Sequence, residues 1–173
     1  MTNNFKRFEN KKVLVTGASG GIGSVLVKEL KKEGAIVAVT DLNTSEVKAD
    51  ANFDGDLLNS NFCDQLPKQV FEKFDGIDIL CNVAGVITRG KINEITDEDY
   101  NITMKVNVEA PFRLCRSSIP LMKRGSAIVN ISSCWGLRPG ANHPLYVMSK
   151  AAIASLTQCL GMDHAHQGIR INA

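Results

Sequence analysis

The sequence predicts an α/β domain built on a doubly wound parallel sheet with helices on both faces. Three observations predict it. Short β-branched runs alternate with helical stretches along the chain. The first run ends in a glycine-rich turn that opens a helix. No internal repeat, low-complexity tract or linker interrupts the alternation, so residues 1–173 read as a single domain.

The elements follow in order. After a polar lead, residues 11–17 form a buried strand ending in glycine. Residues 22–33 place Ile22, Val25, Leu26 and Leu30 at helical spacing, and Gly34 stops that helix. A second strand covers 35–41. The polar stretch 42–51 has room for a turn or one brief helix, and 52–57 is a third strand. Residues 60–74 are helical, although Pro67 weakens that reading unless it lies near the helix start. A fourth strand, within 76–85, runs into a small-residue turn. Residues 96–122 read as one long helix, opened by an acidic first turn (Thr96-Asp97-Glu98-Asp99) and kinked at Pro111. A fifth strand (126–133), a helix (145–165) and a sixth strand (168–173) complete the chain.

Composition excludes several function classes. The 173 residues are 44% hydrophobic and 22% charged, enough to bury a core, with a net charge of +2. The basic residues are scattered, so the electrostatic footprint of a nucleic-acid binder is missing. No apolar run approaches the ~18 residues of a membrane span, and the N-terminus lacks the apolar segment of a secretory signal. Five cysteines without a CxxC pair indicate reduced thiols in a cytoplasmic protein. Cys134 reads as a small buried hydrophobe. His143, His164 and His166 lack metal-ligand spacing, so no metal is expected.

The segment from Thr16 to Gly23, TGASGGIG, joins the first strand to the first helix. Glycines there let the backbone turn tightly and approach a pyrophosphate, and the helix N-terminus offers that anion free N–H groups. Asp41 ends the second strand 18 residues after Gly23. A carboxylate in that place accepts hydrogen bonds from the adenosine ribose and repels a 2′-phosphate. NAD(H) is therefore expected over NADP(H), the bland reading being a turn aspartate. Tyr146 and Lys150 are four residues apart on a predicted helix and share a face. An ammonium beside a phenol favours its ionised form and suits it to proton transfer near neutral pH. Ser133, 13 residues earlier, ends the fifth strand, where its hydroxyl can donate to a substrate carbonyl. Asn107 lies in mid-helix, a poor place for asparagine without a specific reason.

The TGxxxGxG turn, Asn82-Val83-Ala84-Gly85, Asn107, Ser133 and Tyr-x-x-x-Lys occur here in one order. In that order they resemble the short-chain dehydrogenase/reductase family over essentially the whole chain, its 3-oxoacyl carrier-protein reductase group in particular. Val83 is a mild departure from that family's NNAG motif. The short segment between Asp41 and Asp56 is similar to that of dehydrogenases of cyclic diols.

The resemblance implies a Rossmann-type fold and hydride transfer between NAD(H) and a carbonyl or secondary alcohol. It assigns Gly17, Ser19, Gly21, Ile22 and Gly23 to the pyrophosphate, Asp41 to the ribose, and Asp56 and Leu57 to adenine. Asn82, Ala84 and Gly85 are assigned to the strand end that passes the cofactor. Tyr146 exchanges the proton, Ser133 polarises the oxygen, and Lys150 tunes Tyr146 and holds the nicotinamide ribose. Asn107 helps hold a water that links the lysine to solvent. Ile87, Thr88, Arg89, Trp135, Leu137, Arg138 and His143 are candidate substrate contacts. Dimers or tetramers are implied through the helices at 96–122 and 145–165. Family members continue beyond the last residue here, so a final strand and the substrate-covering segment are expected to be absent, leaving the sixth strand as an open edge beside apolar surface. The alternative is a catalytically incomplete relative that binds nucleotide or associates with full-length subunits.

Overall fold

The computed structural model describes residues 6–173. Its centre is β1 (Lys12–Thr16), paired in parallel with β2 (Ile36–Asp41) on one side and β4 (Ile79–Asn82) on the other. Outside β2 lies β3 (Ala51–Asp54); outside β4 lie β5 (Ala127–Asn130) and then β6 (Arg170–Asn172), giving the order β3-β2-β1-β4-β5-β6. The winding reverses between β3 and β4. The carboxyl ends of β1 and β4 therefore flank a crevice, the place where open α/β sheets bind ligands.

The inner strands β1, β2 and β4 are largely apolar because both of their faces are covered, whereas the outer β3 and β6 alternate with polar, exposed residues. On one face Val13, Val15, Val37 and Val39 pack with Val27 and Leu30 of α1 (Gly21–Lys32). On the other, Leu14, Ala38, Leu80 and Ile128 meet Leu66 and Val70 of α2 (Ser60–Phe74) and Leu114 of α4 (Ala110–Ser118). Leu160 of α5 (Pro144–His164) joins that second cluster. Arg113 bonds Asp64 at 2.7 Å and Glu109 at 2.6 Å, tying α4 to α2.

Four local expectations are corrected. The buried face of α1 carries Gly23, Val27 and Leu30, whereas Ile22 and Val25 are 64% and 60% exposed. The helix start sits over the glycine turn, so the apolar Ile22 faces the crevice instead of the core. The third strand ends at Asp54, short of Leu57, because the Asp56 carboxylate accepts from Leu58 N (2.8 Å) and Asn59 caps α2. The helix expected at 60–74 is present as α2, but with the buried Pro67 at its eighth position and not near its start. The long helix at 96–122 is divided into α3 (Asp97–Met104), a π-helical turn (Lys105–Glu109), α4 and a 3₁₀ turn (Ile119–Leu121).

Among the described residues no helix is long and apolar enough to cross a membrane, and no three His, Cys, Asp or Glu side chains gather as a metal site. Cys63, Cys81 and Cys115 are buried free thiols, and burial pushes their pKa up to about 11, 12 and 12. Cys134, expected to be buried, is exposed. It lies in a 3₁₀ turn (Cys134–Gly136) that lifts it off the end of β5. Beside β6 a groove of about 1030 Å³ is lined by Val129, Ile131, Leu137, Met162 and Ile171.

Candidate active site

A cleft of about 520 Å³ opens over the carboxyl ends of β1, β2 and β4. Gly17, Gly21, Ile22 and Gly23 line one wall, Asp41, Asp56 and Leu57 the far end, and Ala84, Gly85 and Val86 the floor. The glycines hold these positions for different reasons. Gly17 has φ +66°, and a Cβ on it would lie 2.7 Å from Ala84 Cα. A Cβ on Gly23 would lie 2.1 Å from Gly17 O. A Cβ on Gly21 would meet nothing within 4 Å, so only something occupying the cleft requires glycine there. No side chain caps α1, which leaves its first-turn N–H groups directed at the same space.

This difference yields a test. Gly23→Ala is expected to lower Tm, whereas Gly21→Ala should leave Tm unchanged and weaken dinucleotide binding. Equal effects of the two variants on Tm would contradict the assignment.

Asp41 accepts from Ser19 N (2.9 Å) and from Leu42 N (2.8 Å), so it also holds the glycine turn in place. The Ser19 hydroxyl donates to Asn43 O at 2.5 Å, at the rim. Asp56 is exposed at the far end of the cleft. Asn82 lies apart from the cleft: it is 2% exposed, and its amide donates to Asn130 Oδ1 at 2.8 Å beneath the strand ends.

Lys150 and Tyr146, expected to share a helix face, do so on α5 beside the chain that leaves β5. Lys150 is 4% exposed, and its ammonium donates to Ile131 O at 2.7 Å. Burial alone holds its pKa below the ordinary lysine value. The ammonium lies 5.8 Å from the centre of the Tyr146 ring. Trp135 stands edge-on to that ring at 6.1 Å and lies against His143 at 4.5 Å with the two rings tilted by 44°. Ser133, expected to end the fifth strand, lies beyond it: β5 stops at Asn130, and Ser133 caps the following 3₁₀ turn, its hydroxyl accepting from Trp135 N at 3.2 Å.

Asn107 is buried in the π-helical turn. Its amide accepts from Val86 N and donates to Val86 O, both at 2.8 Å, and donates to Ser149 Oγ at 3.0 Å. The Ser149 hydroxyl donates to Tyr146 O at 2.8 Å, which links the π turn to α5. A Cβ on Gly85 would lie 3.3 Å from both Asn107 Oδ1 and Lys150 Nζ. Glycine at 85 thus admits these two groups to the cleft floor.

Sequence reasoning passed over two supporting hydroxyls. Thr16 Oγ1 accepts from Val83 N and Ala84 N (3.0 and 3.1 Å), joining β1 to the turn after β4. Ser132 Oγ donates to Lys150 O at 2.8 Å. Their only sequence signal is adjacency to Gly17 and Ser133. Of the candidate substrate contacts, Ile87, Arg89, Leu137 and Arg138 are exposed, and Thr88 pairs with Thr103 at 2.5 Å.

Comparison with known proteins agrees with this geometry. Residues 11–173 match the family profile described as short chain dehydrogenase. The chain is 37% identical to an uncharacterized oxidoreductase of Thermotoga maritima, over 96% of this chain and 70% of that protein. It is 34% identical to the 2,3-dihydro-2,3-dihydroxybenzoate dehydrogenase of Bacillus subtilis, over 98% and 70%. A short chain dehydrogenase of Burkholderia cenocepacia, solved in complex with NADP, superposes with a TM-score of 0.91 at 31% identity, covering 96% of this chain and 73% of that one. With the crevice, the glycine turn and the Tyr146–Lys150 pair on one face of α5 in view, the chain belongs to the short-chain dehydrogenase family of oxidoreductases.

Proposed function

We propose that the chain interconverts a ketone and a secondary alcohol, with Tyr146 as general acid and base and NAD(H) as cofactor. The observation that carries this reading is Lys150: a buried ammonium, bonded to Ile131 O, on the Tyr146 face of α5. A fold does not bury an unpaired cation cheaply, and here the cation adjoins a phenol at the strand ends.

The residues present fit a dinucleotide. The open space over Gly21 and the uncapped α1 suit a pyrophosphate, and Asp41 suits a ribose diol. When bound, the nicotinamide supplies or takes up the hydride. Lys150 would hold its ribose, and Asp56 and Leu57 would flank adenine. Tyr146 gives its hydroxyl proton to the carbonyl oxygen in reduction and receives it in oxidation. Ser133 donates a hydrogen bond to that oxygen and fixes it near Tyr146. Lys150 favours the phenolate by its charge. Asn107 sets the floor between Val86 and Ser149 and supports proton resupply to Lys150.

NAD(H) is favoured over NADP(H) because the Asp41 carboxylate in the cleft would repel a 2′-phosphate, although the Burkholderia relative was solved in complex with NADP. Asp41→Ala also frees Ser19 N, so the informative quantity is a ratio. The kcat/KM ratio of NADPH to NADH is expected to rise at least about tenfold. An unchanged ratio contradicts the role.

The substrate class we favour is a small vicinal diol or its hydroxyketone, supported by the likeness to the Bacillus diol dehydrogenase; 3-oxoacyl thioesters come next. A second copy would pair across α3, α4 and α5, where Met104, Val108, Phe112 and Leu156 line an apolar groove. The free cysteines suit a reducing cytoplasm. The direct test is an NADH-linked screen of diols, hydroxyketones and 3-oxoacyl thioesters. Turnover that disappears in Tyr146→Phe is expected. Turnover retained in that variant contradicts the mechanism.

A further inference from the structure

We propose that Pro111 is a positioning residue for this reaction: by withholding a backbone N–H it maintains the π-helical register that presents Asn107. The inference rests on the reading of the site given above. In an unbroken α-helix Ala110 N would bond Val106 O, and the N–H of residue 111 would bond Asn107 O. Here Ala110 N donates to Lys105 O, five residues back. Residue 111 is proline and has no N–H to donate. Two consecutive carbonyls, Val106 and Asn107, are therefore left without their helical donors.

Sterics and electrostatics act together at this point. In a regular helix the Pro111 ring would strike the carbonyl four residues back, which is that of Asn107. The wider π turn relieves the clash. The backbone on either side stays helical, with Met104 at φ −67°, ψ −39° and Ala110 at φ −61°, ψ −52°, so the break is one of register and not of direction.

The consequence reaches the reacting groups. The π turn carries Asn107 to Val86 and Ser149, Ser149 bonds the backbone of Tyr146, and Val106 lines the cofactor cleft. Pro111 itself lies in the first turn of α4, where its missing N–H leaves no bond of α4 unmade. It touches no reacting atom and acts only through Asn107.

The test is Pro111→Ala, together with the same variant carrying a backbone ester in place of the residue-111 amide. The first restores the N–H; the second removes it again without restoring the proline ring. Through-hydrogen-bond couplings read the register without any need for activity. In the wild type the Ala110 amide should couple to the Lys105 carbonyl, and in Pro111→Ala to that of Val106. Pro111→Ala is expected to keep or raise Tm while kcat falls by about ten- to a hundredfold. NADH affinity should stay constant and the pH–rate profile should shift. The ester variant should recover most of kcat.

A merely structural role for the buried ring gives the opposite pattern, a lower Tm with kcat and pH profile unmoved, and overturns the proposal. So does a Pro111→Ala protein that keeps the Lys105 coupling, or an ester variant as slow as its amide parent. A wild type that turns over none of the screened substrates refutes the proposed function instead, and the couplings still decide the register.

Discussion

Tyr146→Phe is expected to lower kcat by about 10²–10⁴-fold while NADH affinity hardly changes. The removed hydroxyl is the only group proposed to exchange a proton with the substrate oxygen. The ring it leaves behind keeps its packing: Trp135 remains edge-on at 6.1 Å, and the backbone bond from Ser149 to Tyr146 O is untouched. The cofactor cleft is formed by the glycine turn, Asp41 and the strand ends, none of which depends on the phenol. A binding titration and a steady-state assay on the same preparation separate the two effects. A parallel loss of affinity and rate would mean that Tyr146 supports the cleft and not the chemistry.

Lys150→Met should also abolish turnover, and it carries a second signature. Lys150 is buried, and the sole cause that lowers its pKa is the loss of water around its charge. Below the depressed folded-state value the amine is protonated in both states, and the folded state bears the full cost of burying the charge. As pH rises from that value towards the 10.5 of an ordinary lysine, the unfolded chain holds the extra proton, so this group makes stability rise with pH. Methionine has similar length and no charge. The variant is therefore expected to be more stable than the wild type at neutral pH, with the difference shrinking in alkaline solution. Against this stands the loss of the charged hydrogen bond to Ile131 O, worth about 1.5–3 kcal/mol. Chemical denaturation of both proteins across pH measures the balance. A variant less stable at neutral pH, by an amount that does not vary with pH, would show that the hydrogen bond outweighs the buried charge.

Much of the site was legible because its chemistry is written in short local patterns. The glycine turn, the Tyr146–Lys150 spacing and Ser133 each rest on contacts a few residues long, and the structure brings them to the same end of the sheet. Asp41 was legible as the last residue of a strand beside that turn. What sequence could not show depends on contacts between distant segments. Ile22 and Val25 satisfy helical periodicity, yet both stay exposed: Ile22 lines the cleft, and the face of α1 that packs on the sheet is the one carrying Gly23, Val27 and Leu30. Asn82 stands in a cofactor motif, but its side chain turns to Asn130, 48 residues away. Pro111 signals a break in the helix; that the break is a π turn aiming Asn107 at Val86 depends on α5 and the loop after β4. Cys134 looked like a core residue because burial at the end of β5 depends on where the next turn lifts the chain.

Trp135 is the chain's single tryptophan and adjoins Tyr146, so its emission reports on what binds near that tyrosine. Titration of NADH with excitation of Trp135 is the most direct test that the cofactor binds beside Tyr146, the tyrosine proposed to be catalytic. The expected result is saturable quenching of Trp135 with sensitised NADH emission, unchanged in Tyr146→Phe and weakened in Gly21→Ala. Binding of NADH that leaves Trp135 emission unaltered, or is indifferent to Gly21→Ala, would contradict it.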